Sequence, residues 1–197
     1  MKYKDIYNLL KTIISDPKGF WENTQAVSEN RNSILKGFAY PLILFTGLSA
    51  LVGNIFAIAS TEYSIVYILV SATFLMLSLL VSMFIIFILI KELSIKYEGN
   101  SNMLAVERIT IYSLSVYWAT LVVSGIMANY GSMQNFIEFL GLFGTFVYFK
   151  GVDLVLNIKK EDKVIFTLFS LAIAIGVHII VFWALGFVPD LIKNFSF

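Results

Sequence analysis

The chain has 197 residues, 58% of them hydrophobic and 14% charged, against roughly 45–50% and 25% in soluble domains. One water-soluble core cannot bury that excess, and 16% aromatic residues with three prolines exclude a disordered chain. A net charge of +1 argues against a nucleic-acid partner, and the lack of cysteine excludes disulfides, thiolate metal sites and cysteine nucleophiles.

At the N-terminus, Tyr3, Ile6, Tyr7, Leu10 and Ile13 or Ile14 recur at helical spacing, while Lys4, Asp5, Asn8 and Lys11 take the opposite side. This predicts an amphipathic cytoplasmic helix, lying on lipid or packed beneath the membrane domain. The polar interruptions leave no continuous signal-peptide core, so the first span is expected to serve as an uncleaved signal. Asp16-Pro17 reads as a second helix start, with Asp16 as cap and Pro17 at the first helical position, leading into Phe20 and Trp21.

Five apolar stretches follow, at about residues 38–59, 65–90, 109–128, 136–156 and 164–188. Each reaches the roughly 20 residues that a helix needs to cross the hydrocarbon layer. The expected fold is therefore all-α: an integral membrane bundle of five transmembrane helices (36–190) behind an N-terminal helical segment (1–35), with a short tail (191–197).

Basic residues set the expected orientation, because cytoplasmic loops retain them. Lys2, Lys4, Lys11, Lys18, Arg31 and Lys36 precede the first span. Lys91, Lys96 and Arg108 flank the second connection, and Lys150, Lys159, Lys160 and Lys163 the fourth. The first and third connections hold none, and Lys193 lies beyond the last span. Five spans place the N-terminus in the cytoplasm and the C-terminus outside.

Small residues let helices approach closely in lipid. Thr46, Ala50, Gly53 and Ala57 share a face of the first span, and Ser71, Ser78 and Ser82 one of the second. Gly141, Gly144, Thr145 and Gly151 suit the fourth, and Ala172 with Gly176 the fifth. Packing within the chain and a homo-oligomer interface both fit these stripes. Ionisable groups at span ends are the default place to look for function. Glu107 and Arg108 open the third span, while Lys150 and Asp153 close the fourth, three residues apart on one face. A candidate polar cluster joins these four with Tyr112, with Arg108 meeting Asp153; the alternative is local pairing of snorkelling side chains. His178, the only histidine, falls near the middle of the fifth span, and Glu62, Glu138 and Asp190 read as solvated or interfacial groups on the outer side. No metalloprotease, serine-hydrolase or phosphate-loop motif is present, so neither catalytic residues nor a cofactor or metal site is expected.

Four segments carry a family likeness: DPKGFWE (Asp16 to Glu22), LKGFAYPLIL (Leu35 to Leu44), ERITIYSLSVYW (Glu107 to Trp118) and GLFGTFVYFKGVDLVLNIKKEDKVIFTL (Gly141 to Leu168). They resemble the bacterial branch of the YIP family, whose eukaryotic members are five-span proteins of the early secretory pathway associated with Rab-type GTPases. The chain departs from that pattern where a proline is expected after Tyr112-Ser113, and in the basic turn before the last span. The resemblance implies a polytopic protein of the bacterial inner membrane, without catalytic residues, acting through a protein partner or membrane lipid. A small transporter or channel is the alternative.

Overall fold

The structure, a computed structural model, describes residues 3–25, 30–57, 64–127 and 131–195. All regular structure among them is helical. Two short N-terminal helices, α1 (Tyr3–Ser15) and α2 (Pro17–Gln25), are separated by Asp16. Asp16 Oδ1 accepts from the Gly19 N–H at 3.0 Å and caps the second of them, with Pro17 at its first position. The first long helical run comprises α3 (Arg31–Ile34), a π-helical turn at Leu35–Ala39, and α4 (Tyr40–Ala57). The wide turn has a local cause. Pro41 has no N–H, and its ring would press on the carbonyl of Gly37 in a regular α-helix.

The remaining helices are α5 (Ile65–Lys96), α6 (Met103–Ile126), α7 (Gly131–Leu140), α8 (Phe143–Val155) and α9 (Lys163–Phe195). Side chains of Asn30, Ser64 and Asn102 cap α3, α5 and α6. Four helical stretches are long and apolar enough to cross a membrane: Arg31–Phe56, Ile65–Lys96, Met103–Ile126 and Lys163–Val188. The expected span at 136–156 is not one helix but two, α7 and α8, broken at Gly141–Leu142, and neither part is long enough alone. Residues 58–63, 128–130 and 196–197, including Glu62 and the expected ends of the first and third spans, lie outside the described residues.

Helix α6 is the hub of the bundle, packing against α4, α5, α7 and α8, whereas α9 leans mainly on α5. The core is continuous from Ile6 and Ile13 of α1 through Trp21, Phe38, Phe87 and Tyr112 to Val152 and Phe166. Outside it, large apolar side chains such as Phe56, Ile88, Phe139, Ile180 and Trp183 stay exposed along the long helices. A surface of this composition is stable in acyl chains and not in water.

Small residues set helix separation at several places. A Cβ on Gly144 would stand 2.5 Å from the Ser113 carbonyl oxygen of α6, and one on Gly151 would stand 2.6 Å from the Trp21 ring. Gly141, where the chain breaks, lies against Tyr117 and Thr120, and Gly53 is buried. Gly176 is the exception to the expected packing stripe. Nothing among the described residues comes within 4 Å of the Cβ it would carry, because it lies on a side of α9 that no helix covers.

Candidate functional site

At the end of the bundle that carries α1 and α2, α2 docks on α8. Its Trp21 is fully buried, and the indole N–H donates to the Val147 carbonyl at 2.8 Å. Phe20, Trp21 and Phe38 enclose the ring of Tyr112, with centroids at 5.1, 6.2 and 5.2 Å. Tyr112, expected in a polar cluster, is thus the centre of an aromatic one. Ile6 and Ile13 of α1 are buried in the same core, while Lys4, Tyr7, Lys11 and Ile14 form an exposed ridge at helical spacing on its other side.

The remaining residues of the expected cluster take different partners. Glu107, only 1% exposed, is paired with Arg31: the guanidinium Nε donates to Oε2 at 3.1 Å, and Nη2 lies 2.7 Å from Oε1. Arg108 reaches the Thr24 carbonyl at 3.3 Å, tying α6 to α2. Asp153 binds Lys163 at 2.6 Å and not Arg108, because Lys163 opens α9 and the short loop folds it back on the end of α8. Lys163 also lies 4.4 Å over the Phe149 ring, and Lys150 5.0 Å over that of Phe146. Sequence alone gave no sign of Arg31 as a partner, since ion pairing between helices depends on how each is rotated about its axis.

The loops at this end also interlock. The Asn100 N–H donates to the Leu156 carbonyl at 2.6 Å, and the Ser94 hydroxyl to the Asn100 carbonyl at 3.0 Å. Glu98 and Asn157 turn the chain with positive φ. Lys159 bonds Glu98 at 2.7 Å. That hydrogen bond and charge hold the Glu98 carboxyl below its ordinary value and raise Lys159. Both groups are solvated, so the pair positions the loops more than it stabilises them.

A second candidate lies deeper. A cavity of about 290 Å³ opens between α5, α6, the α7–α8 corner and α9. Its walls are mainly apolar, with Leu79, Met83, Ile86 and Trp118 among them. Polar groups converge on it from five helices, α5 to α9. The Tyr117 hydroxyl is 3.5 Å from His178 Nε2, and the Tyr148 hydroxyl donates to Ser170 Oγ at 3.0 Å. Glu138, expected as a solvated or interfacial group on the outer side, lines the cavity and accepts from Gln134 at 3.2 Å. Its carboxyl is the one acidic group among the lining residues, and no lysine or arginine lines the cavity.

Three hydroxyls of this wall, and that of Ser71 away from it, differ from the other hydroxyls of the bundle. Ser78, Ser115, Thr120 and Thr167 each donate to a carbonyl one turn back on their own helix, at 2.7 to 2.8 Å. Ser82, Thr110 and Ser113 are 2 to 5% exposed and line the cavity, yet their oxygens have no protein partner. An unpaired hydroxyl in an apolar phase costs about 1–3 kcal/mol, which a ligand able to hydrogen-bond would recover. Leu142, Ile175 and Ile179 line the cavity and are about half exposed, so it opens sideways, where α7 and α9 make no extensive contact. No group of three or more metal-ligating side chains occurs among the described residues.

Compared with models of protein families, with curated proteins and with solved structures, the chain finds no match.

Proposed function

We propose that this is a non-enzymatic membrane scaffold or adaptor of the YIP type, crossing the bacterial inner membrane five times with its N-terminus in the cytoplasm and its C-terminus outside. The fourth crossing in chain order is α7 and α8 together. Across their break, the N–H groups of Gly141, Leu142, Gly144 and Thr145 donate to carbonyls three residues back, at 2.9 to 3.1 Å. Such bonds let a bent segment remain in lipid without unpaired peptide groups. Only Glu138 is charged between Ile109 and Phe149. With no native cysteine to interfere, single cysteines test the topology. An impermeant maleimide is expected to reach Ser132→Cys only from outside and Lys160→Cys only from the cytoplasmic side; labelling of both from one side would refute the α7–α8 crossing.

The observation that carries the adaptor reading is the docked N-terminal pair. Trp21, Arg108 and Arg31 fasten α2 and α3 to the bundle, so the ridge Lys4–Tyr7–Lys11–Ile14 is held facing away from it. Two lysines alternating with two apolar residues suit anionic headgroups or an amphipathic partner surface. In nanodiscs of mixed lipid, the full chain is expected to co-purify with a stoichiometric protein or an excess of anionic lipid. Lys4→Glu with Lys11→Glu is expected to abolish that enrichment, and the same yield from both proteins would sink the reading. A small transporter is the second reading, favoured by the polar groups that converge on the mainly apolar cavity.

A further inference from the structure

We propose that the cavity is a binding site for a single-chain lipid with a neutral or cationic hydrogen-bonding head, entering sideways from the bilayer between the α7–α8 corner and α9. The proposal assumes only that the helices lie in lipid, and is independent of the adaptor role of α1 and α2.

Three observations define the ligand. The first is shape: from Thr167 to Ile179, both lining residues, the cavity follows α9 for about 18 Å at the α-helical rise. A volume of about 290 Å³ spread over that length fits a chain and not a compact solute. The second is access: the half-exposed Leu142 and Ile179 form a rim facing the apolar exterior of the bundle, so a molecule already dissolved in the membrane reaches the site without crossing water.

The third is polarity. Ser82, Thr110 and Ser113 offer hydroxyls that no protein group satisfies, although other hydroxyls of the same helices bond to their own backbone. A head group that donates and accepts hydrogen bonds completes them. Its charge is restricted by Glu138, which faces no lining lysine or arginine. A carboxylate or phosphate head would bring like charge into the same cavity with no lining cation to offset the repulsion, whereas an amine would be attracted and an alcohol accepted.

The test uses the full chain in nanodiscs with photoreactive diazirine analogues of hexadecylamine, hexadecanol and hexadecanoic acid, crosslinked peptides being mapped by mass spectrometry. The amine and alcohol are expected to label residues of the cavity wall on α6 and α9 saturably, and to be displaced by unlabelled competitor. Hexadecanoic acid is expected to label them at least tenfold less. Glu138→Gln should weaken amine labelling about tenfold and leave the alcohol unchanged, and Ala174→Phe, which fills the channel, should abolish both. Should Ala174→Phe fail to assemble, Thr110→Val with Ser113→Ala removes two of the three hydroxyls with little change of volume and must weaken alcohol labelling. Equal, non-saturable labelling by all three probes, or labelling indifferent to these substitutions, would overturn the proposal.

Discussion

Trp21→Ala is expected to release the N-terminal helices while leaving the bundle folded. The indole is completely buried, donates to the Val147 carbonyl at 2.8 Å and packs on Phe20 at a centroid distance of 4.9 Å. Removing a large aromatic from such a site costs about 3–5 kcal/mol. Because each 1.4 kcal/mol is a factor of ten, even the lower bound raises the undocked population roughly a hundredfold. Trypsin cleavage after Lys11 and Lys18, both exposed, should accelerate accordingly, with helicity of the long helices retained. Trp21→Phe keeps most of the packing and loses the hydrogen bond, so its cleavage rate should fall between the two. Wild-type rates for Trp21→Ala would show that something other than the indole fastens α2.

Arg31→Ala is expected to destabilise the fold by about 3 kcal/mol, the low end for breaking a buried ion pair. The low end applies because the Arg31 side chain is 57% exposed, while the Glu107 side chain is 1% exposed. Most of the loss comes from leaving a carboxylate buried without its guanidinium, not from the attraction itself. The double variant Arg31→Ala with Glu107→Gln should therefore recover the larger part, read as the midpoint of unfolding in detergent. A double variant no more stable than Arg31→Ala would show that the two groups are not coupled.

Helix positions were legible in the sequence because they follow from long apolar runs, and the Asp16-Pro17 start from cap chemistry that needs no tertiary information. The break at Gly141–Leu142 was not. A hydropathy average treats Gly141 and Gly144 as neutral members of an apolar stretch, whereas both sit where α6 leaves no room for a side chain. The partners of the charged residues were illegible for another reason. Residues 107, 108 and 112 lie within two turns of one helix, yet their side chains meet Arg31, Thr24 and Phe38 from three different segments. Only the rotation of α6 about its axis decides which, and periodicity does not fix that angle. Nothing in the sequence places Glu138 at a cavity, because the bend that brings α7 over it depends on how the α7–α8 corner packs on α6.

The wide turn at Leu35–Ala39 holds one residue more than an α-helical turn, and one residue is worth about 100° of rotation. It acts as a phase adjuster between two rigid rods. Upstream, Arg31 points at Glu107; downstream, Thr46 can donate to the Trp118 carbonyl. A straight rod of the same sequence could satisfy one of these settings and would swing the other a quarter turn or more out of register. The first membrane helix can therefore be keyed to α6 at two depths at once, and a single-residue deletion between Leu35 and Ala39 would unlock one key without moving the other.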